Sequence, residues 1–300
     1  KKINNNLNNN IEVTDILVLN NKLYVMFSDK DNDNCNTGNL ILYSAELNYD
    51  ELKFKEEIFI KNNGKDNLKF PECLKYAVTA GKMTNLKDGN ILFSSSVWEK
   101  NKSLIINSDL NQNDLLTNKF AAFIKYDIIK KTYEVFSIGH RNPIGVQQDS
   151  KSRTIIATEH GPRGGDEINI IKKGKNYGWP IVSYGEPYGV PPDEPFYYKK
   201  NHSDNNFQDP VYSFIPSIGI SEIIEINENF SEKWKNNYLI GSLKKRSLFR
   251  IEFDKSFSKI NFIEQIFIGR RIRDMIYDND LNLIFLALED GTPSIGVISA

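Results

Sequence analysis

The stretch WKNNYLIGSLKK, residues 234–245, contains a pattern that runs through the chain: an Asn-rich polar turn followed directly by a short apolar strand. The same order recurs in LNNKLYVMFSDKD (19–31), KDGNILFSSS (87–96), SKSRTIIATEHG (150–161) and DNDLNLIFLALEDG (278–291). Runs of β-branched and aromatic residues between Asn, Asp and Gly clusters are typical of strands. Long helical periodicity is missing from the sequence, so we predict an all-β protein.

A second pair of strands follows several of these segments. It is seen in LILYSAELNYDELKFKEEIFI (40–60), AFIKYDIIKKTYEVFSI (122–138) and LFRIEFDKSFSKINFIEQIFI (248–268). Each unit then has about four strands, and radial repetition of four-stranded sheets is the signature of a β-propeller. Five such units are evident, and no linker separates them. We therefore expect a single propeller domain over residues 11–300, preceded by a disordered or irregular polar tail, KKINNNLNNN, at residues 1–10.

The charge balance excludes some partners. The chain has 38 basic and 39 acidic residues and a formal net charge of -1, so it lacks the overall positive field that attracts nucleic acid or an anionic membrane. Its apolar runs are shorter than the roughly eighteen residues that a transmembrane helix needs. The sequence predicts a soluble protein that binds neither.

The two cysteines leave two alternatives open. Cys35 and Cys73 lie in loop-like contexts, NDNCNTGN and KFPECLKY, without the spacing of a zinc site. They are either two unrelated buried thiols or a disulfide, and on a chain-entropy estimate a disulfide of this loop size contributes about 4 kcal/mol. A disulfide would indicate an oxidising compartment.

Four short motifs resemble a known family. GHRNP (139–143), TEHGPRGGDEIN (158–169), NYGWP (176–180) and RRIRD (270–274) are similar to the soluble sugar dehydrogenases that bind pyrroloquinoline quinone (PQQ), the glucose/sorbosone dehydrogenases. The resemblance implies a six-bladed propeller with PQQ and calcium at the mouth of its channel. This chain begins where the family's second blade begins, so the expectation is that a first blade is missing or incomplete.

The resemblance assigns cofactor contacts to Arg141, Asn142, Arg271 and Arg273, and it matches Lys244 to the family's cofactor lysine. PQQ is a planar tricarboxylate, and arginine recognises carboxylates through two parallel hydrogen bonds. Arg271 and Arg273 are two residues apart, which places them on one face of an extended segment. A hydrogen-bonded role in the cofactor loop is expected for His160.

The resemblance also implies calcium ligands. Carbonyls at Gly161 and Pro162 correspond to those that bind the calcium next to PQQ, and Glu167 with the carbonyl of Tyr177 corresponds to a second, structural calcium site. Calcium prefers oxygen ligands of these types. Asp166 is either another oxygen donor or a cap of the turn.

The family's catalytic histidine is not matched. Its position falls on Thr79 in VTAGKMTN (78–85), and a threonine hydroxyl does not replace imidazole as a general base, which typically contributes about 10² to 10⁴ in rate. His160 is a weak candidate for the base. His140 is expected to be structural, with its ring satisfied by backbone, and His202, in a polar insertion, is expected to be exposed.

These residues support two hypotheses. The first is a PQQ- and calcium-dependent sugar (aldose) dehydrogenase that oxidises a saccharide hydroxyl, with an electron acceptor that the sequence does not identify. The second is a non-catalytic, calcium-stabilised propeller that binds a saccharide, peptide or protein. Family members are exported, so the resemblance implies a periplasmic or secreted protein with Cys35 and Cys73 paired.

Overall fold

The structure is a computed structural model that describes residues 11–30, 38–48, 50–60, 81–96, 121–188 and 198–300. The chain divides into two units, one formed by residues 1–143 and 173–181 and the other by residues 144–172 and 182–300. Among the described residues, the one regular helix is a single 3-10 turn at Ser203–Asn205, and every sheet is antiparallel. The prediction of an all-β class is confirmed.

The first unit contains two four-stranded sheets, each with its strands paired in chain order. The first sheet consists of β1 (Ile11–Leu19), β2 (Lys22–Lys30), β3 (Gly38–Glu46) and β4 (Lys55–Ile60). The second sheet consists of β5 (Met83–Asn85), β6 (Ile91–Ser94), β7 (Ala122–Asp127) and β8 (Thr132–Ile138). Their shared core includes Tyr24, Leu42, Phe93, Ile124 and Tyr126.

The second unit contains three sheets. One consists of β9 (Pro143–Gln148), β10 (Ile155–Glu159), β11 (Asp166–Ile171) and β12 (Tyr212–Phe214). The next consists of β13 (Ile220–Ile226), β14 (Asn237–Ser242), β15 (Ser247–Phe253) and β16 (Ile260–Phe267). The last has three strands in the described residues, β17 (Ile272–Asp278), β18 (Leu283–Leu288) and β19 (Ser294–Ser299). The described part of the chain thus has five antiparallel sheets, as predicted.

One turn design recurs and explains why polar clusters separate the strands. In DIIKK (127–131), DSKSR (149–153) and DNDLN (278–282), the aspartate side chain accepts backbone N–H groups two and three residues later. The fifth residue of each turn has a left-handed backbone, with φ of 58° at Lys131, 66° at Arg153 and 56° at Asn282. Aspartate that bonds its own turn in this way ends a strand and reverses the chain.

The cores of the second unit lie between neighbouring sheets. Ile156 and Ile168 pack with Ile220, Ile240 and Phe249, which joins the sheet of β9–β12 to that of β13–β16. A second cluster, including Ile226, Leu239, Leu248, Ile272 and Ile284, joins the sheet of β13–β16 to that of β17–β19. At about 25 cal/mol per Å² of buried apolar area, such inter-sheet contacts are the main stabilising term.

Several predictions fall outside the described residues. Cys35, Cys73, Thr79 and the tail at residues 1–10 are among them, so their pairing, role and order stay predictions. The single domain over residues 11–300 also stays a prediction. In the part of the chain that the structure describes, no helix is long and apolar enough to cross a membrane.

Candidate functional site

The motif GHRNP forms a buried turn between β8 and β9. The side chains of His140, Arg141 and Asn142 are all buried, and the backbone N–H of His140 donates to the Ala121 carbonyl at 3.0 Å. The imidazole Nε2 of His140 lies 2.9 Å from Ser137 Oγ, so the ring has a side-chain partner in this turn. Its burial and this contact agree with the structural role expected for His140.

The segment NYGWP packs against this turn within the first unit. The N–H groups of Tyr177 and Trp179 donate to the carbonyls of Ile138 and Gly139 at 2.9 and 3.0 Å. The Tyr177 ring stacks on His140 with centroids 4.4 Å apart, and the Arg141 guanidinium lies 5.3 Å from the centroid of the Trp179 ring. These contacts hold Arg141 in a fixed, cation-π arrangement.

In the second unit, Asp166 organises the loop that follows β10. Its Oδ1 accepts the N–H of Gly161 at 3.2 Å, and its Oδ2 accepts those of Gly219 and Ile220 at 2.8 and 3.0 Å. Asp166 therefore caps backbone groups, which is one of its two proposed roles; whether it also donates an oxygen to a cation stays a prediction. His160 Nδ1 lies 3.8 Å from Asp166 Oδ1, which is beyond hydrogen-bond distance.

A second loop fixes the conformation of residues 161–165. Arg163 and Glu186 exchange two backbone hydrogen bonds, at 2.9 and 2.8 Å. Gly165 has a φ of +71°, and a Cβ at this position would lie 2.5 Å from the Gly185 nitrogen. The loop that contains Gly161 and Pro162 is therefore held by backbone contacts that leave no space for a side chain at Gly165.

One face of the sheet of β9–β12 is buried yet polar. Glu167 pairs in register with Glu159 on one side and with Ser213 on the other, so these three side chains share a face. Asn169, two residues along β11, lies on the same face and donates to Glu167 Oε2 at 3.2 Å. The buried atoms Asn169 Oδ1 and Ser213 Oγ take no hydrogen-bond partner among the described residues.

His202 belongs to this buried group, so the prediction that it is exposed is wrong. Only 1 % of the residue is exposed, its Nε2 lies 3.7 Å from Glu167 Oε1, and Tyr184 packs on its ring. The 3-10 turn at Ser203–Asn205 brings the insertion back over the sheet, which residue polarity alone could not predict. Burial lowers the pKa of His202, which favours the neutral ring.

Glu159 and Glu167 place two carboxyl groups on this buried face, which is electrostatically unfavourable. Burial raises the pKa of Glu167 well above its usual value, and the negative charge of Glu159 raises it further, while the hydrogen bond from Asn169 opposes both. Two carboxyl groups and two unpartnered oxygens form a donor set that suits a hard cation such as calcium. Among the described residues no three His, Cys, Asp or Glu side chains are grouped to hold a metal, so amide, hydroxyl or carbonyl oxygens would complete the set.

The predicted arginine pair lies at the start of β17 and meets a residue that the sequence reasoning missed. Arg271 Nε donates to Glu289 Oε1 at 2.7 Å, and Arg273 Nε donates to Glu289 Oε2 at 2.6 Å. The terminal nitrogens of Arg273 take no partner in the described part of the chain, and 51 % of its side chain is exposed. Lys244, in the turn between β14 and β15, is exposed as well.

The register of the last sheet explains the position of Arg273. Ile272 pairs with Leu288 and Asp274 pairs with Ala287, so Arg273 is the extra residue of a β-bulge. Bulges redirect a side chain and often lie next to functional sites. The pairing of RRIRD with LALED across one hairpin was a sequence signal that could have identified Glu289.

The comparison with solved structures identifies the fold. A crystal structure described as glucose dehydrogenase superposes with a TM-score of 0.75 at 23% identity, covering 95% of this chain and 82% of that one. The PQQ-bound form of aldose sugar dehydrogenase from Streptomyces coelicolor superposes with a TM-score of 0.62 at 16% identity, covering 96% and 78%. The fold is a β-propeller with the five antiparallel blades described above, as predicted.

The family follows from the sequence match. The profile of the Glucose / Sorbosone dehydrogenase family matches residues 121–295, which is more than half of the chain, and the protein belongs to that family. Aldose sugar dehydrogenase YliI of Escherichia coli K12 is 35% identical over 145 residues, covering 47% of this chain and 38% of that protein. The chain matches between 34% and 42% of the length of its curated relatives.

Proposed function

We propose that the protein is a PQQ- and calcium-dependent sugar (aldose) dehydrogenase, which oxidises a saccharide hydroxyl by hydride transfer to PQQ. The observation that carries the proposal is the arginine pair, because Arg273 lies in a bulge beside Arg271, is half-exposed, and has terminal nitrogens with no partner among the described residues. Guanidinium groups suit the carboxylates of PQQ, which when bound would supply the two-electron acceptor. Family membership supports the same reaction class.

The other cofactor residues enter the proposal by resemblance. In the first unit, Arg141 and Asn142 are candidate cofactor contacts, and the Trp179 ring holds the Arg141 guanidinium in place. In the second unit, Lys244 and His160 are candidates, both with exposed atoms. Gly161 and Pro162 are the candidate carbonyl ligands of the calcium next to PQQ.

Uptake of PQQ tests the proposal directly. Wild-type protein is mixed with PQQ and calcium, and bound quinone is measured by its absorbance after gel filtration, followed by dye reduction with a panel of aldoses. Lys244→Ala and Arg273→Ala should weaken binding about tenfold or more, because each removes a charge-assisted hydrogen bond. Lys245→Ala is the matched control, since the neighbouring Lys245 is exposed as well. Absence of uptake by the wild type at micromolar PQQ would refute the proposal.

A second calcium site at Glu167 belongs to the same proposal, and by resemblance the carbonyl of Tyr177 is also a candidate calcium ligand. It is supported by the buried pair Glu159 and Glu167 and by the free oxygens beside them. A cation that binds only the folded state raises the free energy of unfolding, by about 2.7 kcal/mol at a concentration a hundred times Kd, and so raises the midpoint of thermal unfolding. Calcium should stabilise the wild type and the control Glu232→Gln, and it should not stabilise Glu167→Gln.

A non-catalytic function is the alternative, and the histidines favour it. His140 and His202 are buried in packing contacts, and His160 lies 3.8 Å from an aspartate whose oxygens already accept backbone N–H groups. With Thr79 at the position of the family's base, a calcium-stabilised propeller that binds a saccharide, peptide or protein is consistent with the structure. Calcium-dependent stability and PQQ or saccharide binding without turnover would identify it.

The proposal includes an oxidising location, periplasmic or secreted, and a disulfide between Cys35 and Cys73. Both cysteines lie outside the described residues, so the test is chemical. Denatured, unreduced protein is alkylated and weighed by mass spectrometry. No label is expected before reduction and two labels after it, and labelling of both thiols before reduction would reject the pairing.

A further inference from the structure

Glu289 joins the two arginines at the start of β17. Its carboxylate accepts Arg271 Nε at 2.7 Å and Arg273 Nε at 2.6 Å, and Arg271 Nη2 also lies 2.5 Å from Oε1. About 29 % of the Glu289 side chain is exposed, so the contact lies at the protein surface rather than in a core. Both oxygens of one internal carboxylate are therefore committed to the two guanidinium groups.

The surroundings of this contact are rich in arginine. Arg270 donates to the carbonyls of Asp290 and Thr292, and Arg246 Nε lies 3.4 Å from Asp290 Oδ2. Four arginines thus lie in or beside this group, against the carboxylates of Glu289, Asp290 and Asp274, which leaves one more positive than negative charge. Such a cluster attracts anions, and each internal carboxylate reduces that attraction.

The contact with Glu289 leaves some N–H groups of the two arginines available to a ligand. Arg271 presents its Nε and Nη2 to Glu289, whereas Arg273 contacts it through Nε, and among the described residues its terminal nitrogens take no partner. An arriving carboxylate can bind the free edge of Arg273 at once. A ligand carboxylate near Arg271 meets the negative charge of Glu289, which occupies the Nε and Nη2 side of that guanidinium and weakens its attraction for a second anion.

We propose that Glu289 is a built-in competitor for carboxylate ligands at Arg271 and Arg273, and that it sets the affinity and selectivity of this arginine pair for small polycarboxylates. The inference rests on the proposed function, because PQQ is the polycarboxylate that this function requires. Glu289 stabilises the ligand-free protein by lying between two like charges, on Arg271 and on the bulge residue Arg273. The same contact offsets part of the free energy that a ligand gains from the arginines.

This role predicts two effects of opposite sign for Glu289→Gln. The thermal midpoint of the ligand-free protein should fall by about 1 to 3 °C, because an ion pair becomes a weaker hydrogen bond. The Kd for PQQ should become about three- to tenfold tighter, and its dependence on salt steeper, because one competing charge is lost. If the role of Glu289 were purely structural, Glu289→Gln would lower the thermal midpoint, and PQQ binding would be weaker or unchanged.

Glu264→Gln is the matched control. Glu264 forms the same kind of contact, accepting Arg250 Nε at 2.7 Å on β15 and β16, so the substitution also removes one surface charge from an Arg–Glu pair in the second unit. It should leave the Kd for PQQ unchanged.

The experiment titrates wild type, Glu289→Gln and Glu264→Gln with PQQ and, separately, with citrate by calorimetry, alongside thermal unfolding without ligand. The inference is supported if PQQ or citrate binds more tightly to Glu289→Gln, and not to Glu264→Gln, than to the wild type. It is also supported if Glu289→Gln is the one protein that takes up PQQ. If no protein binds PQQ, the proposed function fails, and the citrate titration decides this inference alone. Equal or weaker binding of citrate or PQQ by Glu289→Gln than by wild type overturns it.

Discussion

At the scale of single residues, Gly165 shows how backbone conformation and space act together. It has a φ of +71°, which disfavours any residue with a Cβ, and a Cβ there would lie 2.5 Å from the Gly185 nitrogen and 2.8 Å from the Tyr184 carbonyl carbon. Gly174 has almost the same φ, +74°, but no atom lies within 4 Å of its Cβ position. Comparing substitutions at the two glycines therefore separates the free-energy cost of a left-handed backbone from that of steric overlap.

Alanine substitution at the two positions should have unequal effects. Gly174→Ala is expected to lower the free energy of unfolding by about 1 kcal/mol, the left-handed penalty alone. Gly165→Ala adds overlap with backbone that cannot move aside and should cost about 3 kcal/mol or more. Urea unfolding monitored by circular dichroism measures both. Equal losses would show that the loop of Gly185 yields and that the steric argument is wrong.

Individual residues also mark the limit of sequence-based prediction. The pattern around Arg271 and Arg273 predicted that both lie on one face, and both reach the same carboxylate. The burial of His202 was not predictable, because it depends on Glu167 and Tyr184, which are distant in sequence. Local polarity reports the solvent exposure of a segment on average, whereas a single side chain follows its tertiary contacts.

At the scale of strands, Glu57 shows how a bulge joins two sheets. Leu42 pairs with Ile58 and Tyr43 pairs with Glu56, so Glu57 is the extra residue of β4. Its carboxylate accepts hydrogen bonds from Ser44 at 2.6 Å, Tyr126 at 2.6 Å and Lys131 at 2.5 Å. Ser44 lies in the first sheet, whereas Tyr126 lies in β7 of the second sheet and Lys131 in the turn between β7 and β8.

Glu57→Gln should lower the free energy of unfolding by about 2 kcal/mol at neutral pH, because charged hydrogen bonds to a buried group are lost. Burial alone would raise the pKa of Glu57, but the hydrogen bonds from Lys131, Ser44 and Tyr126 outweigh it and lower the pKa. A lowered folded-state pKa means that this stability is complete above the unfolded pKa, about 4.3, and is lost as pH falls through the folded pKa.

The difference between wild type and Glu57→Gln should therefore be constant from pH 7 to about pH 5 and shrink on further acidification. Urea unfolding at several pH values measures it. The exposed Glu51, in Glu51→Gln, is the control and should show no such difference. A gap that grows towards acid pH would contradict the assignment.

The strand β19 presents a different problem at this scale. In the described residues it pairs only with β18, and its side chains Ile295 and Val297 are 74% and 56% exposed. An exposed apolar strand with an unpaired edge favours association with other chains. This follows from the sheet order rather than from residue composition.

A charge on that strand should reduce association. Ile295→Lys is expected to decrease light scattering of concentrated protein at 37 °C with a change in unfolding free energy of less than about 1 kcal/mol. Leu281→Lys is the control, because Leu281 is also exposed, at 61%, but lies in a turn. Equal effects of the two substitutions would assign the change to net charge and not to the strand edge.

At the scale of the whole molecule, the recurring turn and strand pattern was sufficient to predict five antiparallel sheets and the all-β class. It did not predict that residues 173–181 leave the second unit and join the first. That excursion depends on backbone hydrogen bonds from Gly174 to Phe136 and from Tyr177 to Ile138. Such long-range pairing leaves no periodic trace in the local sequence.

The overall charge gives a prediction for the complete chain. With a formal net charge of -1 at pH 7 and an isoelectric point near 6.4, the protein has little net repulsion between molecules around neutral pH. Solubility in ammonium sulfate should be lowest near pH 6.4 and rise on either side. A minimum displaced by more than about one pH unit would indicate bound ions or strongly shifted groups.

The packing of Arg141 over Trp179 has a practical consequence for spectroscopy. The chain has three tryptophans, and the two described ones lie in different units: Trp179, buried in the first, and Trp234, next to Phe230 and Arg250, in the second. In a Trp98→Phe background, intrinsic fluorescence therefore has one indole donor per unit. Single replacement of either indole would resolve whether the units lose their emission at one denaturant concentration or at two.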